Sequence, residues 1–153
     1  MKPIFRTIAI AILAGTAALP SYAQTAETNT FPGLDDDAVQ QWGGEEGVRN
    51  WVESLFYYIM LDNRINHVFR EFGNIERQIY LNTQLTQLVL GGAVEYQGAS
   101  MAAAHADLGI TVTQFNAVVE AAYLACERVT VTYEACNQLI AALAPYERVI
   151  VTR

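Results

Sequence analysis

Lysine is almost missing from this sequence. Lys2 is the only one, and every later cation is an arginine. Sixteen acidic residues face nine basic ones, for a net charge of −7. Such a chain lacks the clustered cations from which phosphate affinity comes, which argues against nucleic acid and anionic membranes as partners. Histidine is as scarce: His67 and His105 are the only two. Cysteine is limited to Cys126 and Cys136. A zinc site needs three or four ligands, and no second histidine or cysteine pair stands close to His105. Beyond residue 19 no apolar run approaches the ~20 residues that span a bilayer.

What is present begins with a three-part N-terminus. Lys2 and Arg6 give it a basic start, residues 8–19 a short apolar core, and Ser21-Tyr22-Ala23 small residues for cleavage. This pattern predicts a signal peptide over residues 1–23, and therefore an exported protein, periplasmic or secreted. Its removal takes the net charge from −7 to −9 and leaves 130 residues, enough for one domain with its own core. Residues 24–34 read as a flexible lead-in, and residues 35–153 as the domain.

Apolar spacing within the domain predicts helices. Asp35 to Trp42 reads as a short one, stopped by Gly43-Gly44. Glu45 to Leu61 follows, with two glutamates in its first turn and Val48, Val52 and Leu55 on one face. Residues 65–72 form a short piece. Asn74 is placed to cap a helix that runs to about Leu90, where Gly91-Gly92 ends it. Gln78, Asn82 and Gln84 interrupt the apolar face of that helix, as a helix roofing a polar ligand would allow. Thr111 with Gln114 fits a capping box. The helix behind it carries Phe115, Val118 and Val119. Thr132 is placed to cap a last helix running towards Val149. Val129 to Val131 is β-like but too short for a sheet. The class is all-α. The two cysteines flank residues 127–135, a link between two helices. Antiparallel helices would bring the thiols together as a disulfide; otherwise they are buried free thiols. The Cα separation of ~4.4–6.8 Å that a bond needs is not legible in the sequence.

The chemistry concentrates at residues 91–105. A glycine-rich loop leads into Met101-Ala102-Ala103-Ala104-His105, before Leu108-Gly109-Ile110. One imidazole among small and apolar residues suits a single axial bond to a flat iron cofactor.

These residues carry a resemblance. Four stretches match: Gly43 to Val48; Asp62-Asn63-Arg64-Ile65 leading to Phe69; Leu90-Gly91-Gly92 with Tyr96-Gln97-Gly98; and Met101 to His105 with Leu108 to Thr111. From about Asp35 to Val149 the chain resembles the group I truncated haemoglobins. The resemblance implies a two-over-two helical sandwich around haem. It implies that His105 is the proximal ligand to the iron and that Phe69 packs on the haem face. Met101 is implied as an apolar haem contact, with Phe115 and Val118 on the proximal wall. Counted without gaps from Gly43, the family's distal tyrosine falls on Phe56, which has no hydroxyl to donate. Unless Tyr57 substitutes, the donor must come from the next helix. Aligned back from Gly91-Gly92, the distal positions are Gln78 and Asn82; aligned forward from Phe69, they are Arg77 and Leu81. The amide register accounts for the polar residues on that face and is preferred. Charge alone suggests Arg77 as a partner for a haem propionate, and His67 reads as exposed.

The leading expectation is a haem protein that reversibly binds oxygen, nitric oxide or carbon monoxide opposite His105. An alternative is a nitric oxide dioxygenase or peroxidase-like enzyme, which would require an external reductase. A third is a haem-free helical interaction module.

Overall fold

The computed structural model describes residues 34, 38–71 and 73–153. The expected signal peptide, most of the lead-in, the start of the first helix at Asp35 and residue 72 lie outside the described residues. The described chain is helical: α1 (Ala38–Gln41), α2 (Gly44–Leu61), α3 (Asn66–Glu71), α4 (Ile75–Val89), α5 (Met101–His105), α6 (Val112–Arg128), α7 (Tyr133–Leu143) and α8 (Glu147–Ile150). Among the described residues there is no strand. A single parallel bridge joins Ile110 to Val151.

Local chemistry sets most of the helix ends. The Asn74 side chain accepts from the Arg77 amide at 2.9 Å and opens α4. Thr111 and Gln114 form the reciprocal capping box at the start of α6, and Thr132 caps α7 by accepting from the Ala135 amide. Each satisfies amide donors that a helix start leaves without partners. Gly91 has φ +79°, so the chain leaves α4 through a conformation that costs glycine little.

The last helix does not run on towards Val149. It ends at Leu143, and Ala144–Tyr146 form a 3₁₀ turn before α8. Pro145 is the reason: it has no N–H to donate to the α-helical ladder, and its ring crowds the preceding turn. The redirected chain returns to the segment after His105, where the Thr152 amide donates to the Ile110 carbonyl at 2.9 Å.

The core forms where α2 packs on α4 and α6, and α6 pairs with α7. This is the two-over-two arrangement. Val48, Val52, Ile59, Val89, Leu90 and Leu139 are almost wholly buried at its centre. Cys126 and Cys136 are bonded across the α6–α7 link, with Cα atoms 6.2 Å apart, so the disulfide alternative is the one the structure shows. Outside the core, the Arg64 guanidinium bridges Asp62 at 2.6 Å and Glu120 at 2.5 Å, tying the end of α2 to α6. Its hydrogen bond holds the Asp62 carboxyl below the usual carboxylate range.

Candidate functional site

Between the helix pairs lies a cavity of about 360 Å³, walled by residues from α2 through α8. That is within the range of small-molecule and cofactor sites. Most of its wall is apolar carbon. The exceptions include His105, Gln78, Asn82, Thr86 and Gln114.

His105 reaches this wall from the end of the one-turn helix α5. Ser100 caps that helix by accepting from the Ala103 amide at 3.2 Å. The Ile110–Val151 bridge fixes the chain beyond it. His105 Nδ1 lies 2.8 Å from the Met101 carbonyl oxygen. A carbonyl only accepts, so Nδ1 carries a proton in this contact, and in the neutral ring the Nε2 lone pair is left for another partner. Among the described residues, no group of three or more His, Cys, Asp or Glu is placed to hold a metal ion. The donor set is one imidazole in an apolar cavity. It fits a cofactor that brings its own equatorial ligands and takes one axial bond from protein, as haem does.

The remaining expected site residues divide cleanly. Phe56, Phe69, Gln78, Asn82, Met101, Phe115 and Val118 all border the cavity. The Phe56 and Phe69 rings meet edge to face, with centroids 5.7 Å apart. Gln78 Nε2 donates to the Phe69 carbonyl at 3.1 Å, and Asn82 Nδ2 donates to the Gln78 carbonyl at 2.9 Å. Of the two registers, the structure brings Gln78 and Asn82 to the cavity and leaves Arg77 and Leu81 out of its wall. Arg77 is exposed. It follows from helix geometry: one residue is ~100° of rotation, so the neighbour of an inward residue turns away. Tyr57 does not substitute for Phe56. It is 48% exposed, with the Arg128 guanidinium 4.3 Å from its ring centroid. His67 is exposed and lies outside the wall. Gln84 also stays out. It is buried and accepts from the Gln97 amide at 3.1 Å, which anchors the loop before α5 to α4.

Some wall residues escaped the sequence reading. Trp51 is one; its spacing to Leu55 and Ile59 is four and four, which places all three on one helical face. Tyr146 and Ile150 are others, brought round by the break at Pro145. Burial pushes the Tyr146 phenol up, so it stays neutral at physiological pH.

No family model matches the sequence. It is 27% identical over 81 residues to the group 1 truncated hemoglobin of Tetrahymena thermophila, a match covering 53% of this chain and 66% of that protein. The chain thus spans just under two thirds of the length of the curated relatives it matches. The crystal structure of truncated hemoglobin from Tetrahymena pyriformis, Fe(III) form, superposes with a TM-score of 0.71 at 21% identity, over 76% of this chain and 98% of that one. The 2/2 hemoglobin of Synechococcus sp. PCC 7002, in the cyanomet state and with covalently attached heme, gives a TM-score of 0.70 at 23% identity, with the same coverage. The chain is thus similar in sequence to the group 1 truncated hemoglobins and shares the two-over-two fold of truncated 2/2 hemoglobins.

Proposed function

We propose that this chain is a haem protein, with His105 Nε2 as the proximal ligand to the iron, and that it reversibly binds a small diatomic molecule on the opposite side. Haem, held by His105, would supply an iron centre able to take up the diatomic molecule. The observation that carries the reading is His105: its Nδ1 is committed to the Met101 carbonyl at 2.8 Å, and its ring stands on the wall of an apolar cavity. The Met101 carbonyl fixes the ring and its tautomer. Met101, Phe115 and Val118 exclude water around it. Phe56, Phe69, Gln78 and Asn82 shape the space for the diatomic molecule. The structural neighbours support the cofactor, since one was solved in an Fe(III) form and another with covalently attached heme. The disulfide supports export, because such bonds persist in oxidising compartments.

The test is the absorption spectrum of the chain expressed with ample haem. A Soret band, with ferrous and carbonyl forms typical of a proximal imidazole, is the expected result. A purified chain that takes up no haem overturns the proposal and favours the haem-free reading.

Phe56 sets the second expectation. Buried beside Phe69 on the cavity wall, it brings no donor to the space the diatomic molecule enters. Phe56→Tyr adds a phenolic O–H there. A net hydrogen bond of ~1.4 kcal/mol slows dissociation about tenfold, so stopped-flow oxygen release from the variant is expected to be about tenfold slower. Unchanged or faster release would place the diatomic molecule away from Phe56.

A further inference from the structure

The corner between α3 and α4 has a feature that helix chemistry leaves unexplained. Gln78 begins the polar stripe of α4, yet its carboxamide folds back over the corner to donate to the Phe69 carbonyl at 3.1 Å. It lies directly over Gly73. A Cβ built on Gly73 falls inside the contact distance of Gln78 Nε2 and is 2.9 Å from Gln78 Cδ. The three atoms nearest to that Cβ all belong to the Gln78 side chain. An alanine at 73 therefore meets first the movable end of one glutamine.

We propose that Gly73 is the positioning residue for Gln78: the missing side chain is the seat that keeps this carboxamide on the Phe69 carbonyl. The consequence for ligand exchange rests on the haem reading above. The seated amide commits one N–H to Phe69 and holds its nitrogen at the α3–α4 corner. Phe56 contributes no hydroxyl, so the seat decides whether Gln78 adds a donor to the distal space beside Asn82. Through the Phe69 backbone it also ties α4 to the ring that meets Phe56 edge to face.

Gly73→Ala tests this with two readouts. The first is the side-chain amide signal of Gln78 in the ¹⁵N-labelled full chain as purified, assigned by its loss in Gln78→Ala. In Gly73→Ala this signal is expected to shift towards that of a solvated amide and to exchange faster with water. The second is oxygen release from the haem-loaded protein. A freed carboxamide swings over the cavity, and release is expected to slow about fivefold, the effect of one ordinary hydrogen bond. In the Gln78→Ala background, Gly73→Ala is expected to change the rate no further, because the group it displaces is gone. An unchanged Gln78 signal overturns the seat. Release that is unchanged or faster, or an equal effect of Gly73→Ala with and without Gln78, overturns its role in ligand exchange. Failure to bind haem sinks the proposed function while the amide signal still decides the seat.

Discussion

His105→Gly is expected to abolish the proximal-imidazole spectrum, and imidazole added to the solution is expected to restore it. His105 is the only histidine on the cavity wall, and the other, His67, is exposed and outside it. No substitute ligand of the same kind is at hand. The loss should exceed the ~10–100-fold in metal affinity that removal of an outer-shell partner costs, because here the ligand itself goes. The fold should survive. His105 is only partly buried, it closes a helix of one turn, and the neighbouring Ile110–Val151 bridge is unaffected. Circular dichroism of the variant is therefore expected to match the parent, while its Soret band weakens and shifts. A variant that keeps the parent's ferrous and carbonyl spectra would show that another residue holds the iron. Met101→Ala separates ligation from orientation. The carbonyl that orients His105 belongs to the backbone and remains, so that variant should keep the proximal spectrum.

The parts of this site that were legible in the sequence are those set by neighbours in the chain. Asn74, Thr111 and Thr132 announce helix starts because a capping side chain bonds an amide two or three residues on. His105 stands out because its setting of small residues and glycines is local as well. The distal register was not legible in the same way. Between Phe69 and Gly91 the count fits two alignments one residue apart, and one residue moves a side chain ~100° round a helix. Only the packed corner, where Gln78 reaches the Phe69 carbonyl, separates Gln78 from Arg77. The wall built by Tyr146 and Ile150 was less legible still. Apolar spacing continues through Leu139, Leu143 and Tyr146, so periodicity argues for one long helix. The single missing donor of Pro145 outweighs it, and the direction taken afterwards is fixed by a contact with Ile110, more than thirty residues earlier in the chain.

Replacing both cysteines by serine is expected to cost ~2–3 kcal/mol of stability. The bond closes a loop with a sequence separation of 10, and closing a loop of that size in the unfolded chain accounts for a cost of about this magnitude. For a domain of this size that corresponds to a fall in Tm of about 10 °C. The local setting adds to the loop term. Trp51 Nε1 sits 3.2 Å from Cys126 Sγ and 3.4 Å from the Ala122 carbonyl, so the indole N–H is held between the disulfide and α6. The ring also meets Trp42 edge to face at 5.3 Å and forms part of the cavity wall. Both helices that the disulfide joins contribute to that wall, through Phe115 and Val118 on one side and Leu139 and Leu143 on the other. Loosening their junction should therefore weaken the cavity as well as the fold. Haem transfer from the serine variant to an excess of an apo-globin acceptor is expected to be faster than from the parent. The parent treated with a reductant should behave as the variant does in both measurements. A Tm within about 2 °C of the parent would mean that packing of α6 on α7 suffices without the bond. A lowered Tm with unchanged haem transfer would confine its influence to the folding equilibrium and separate it from the site.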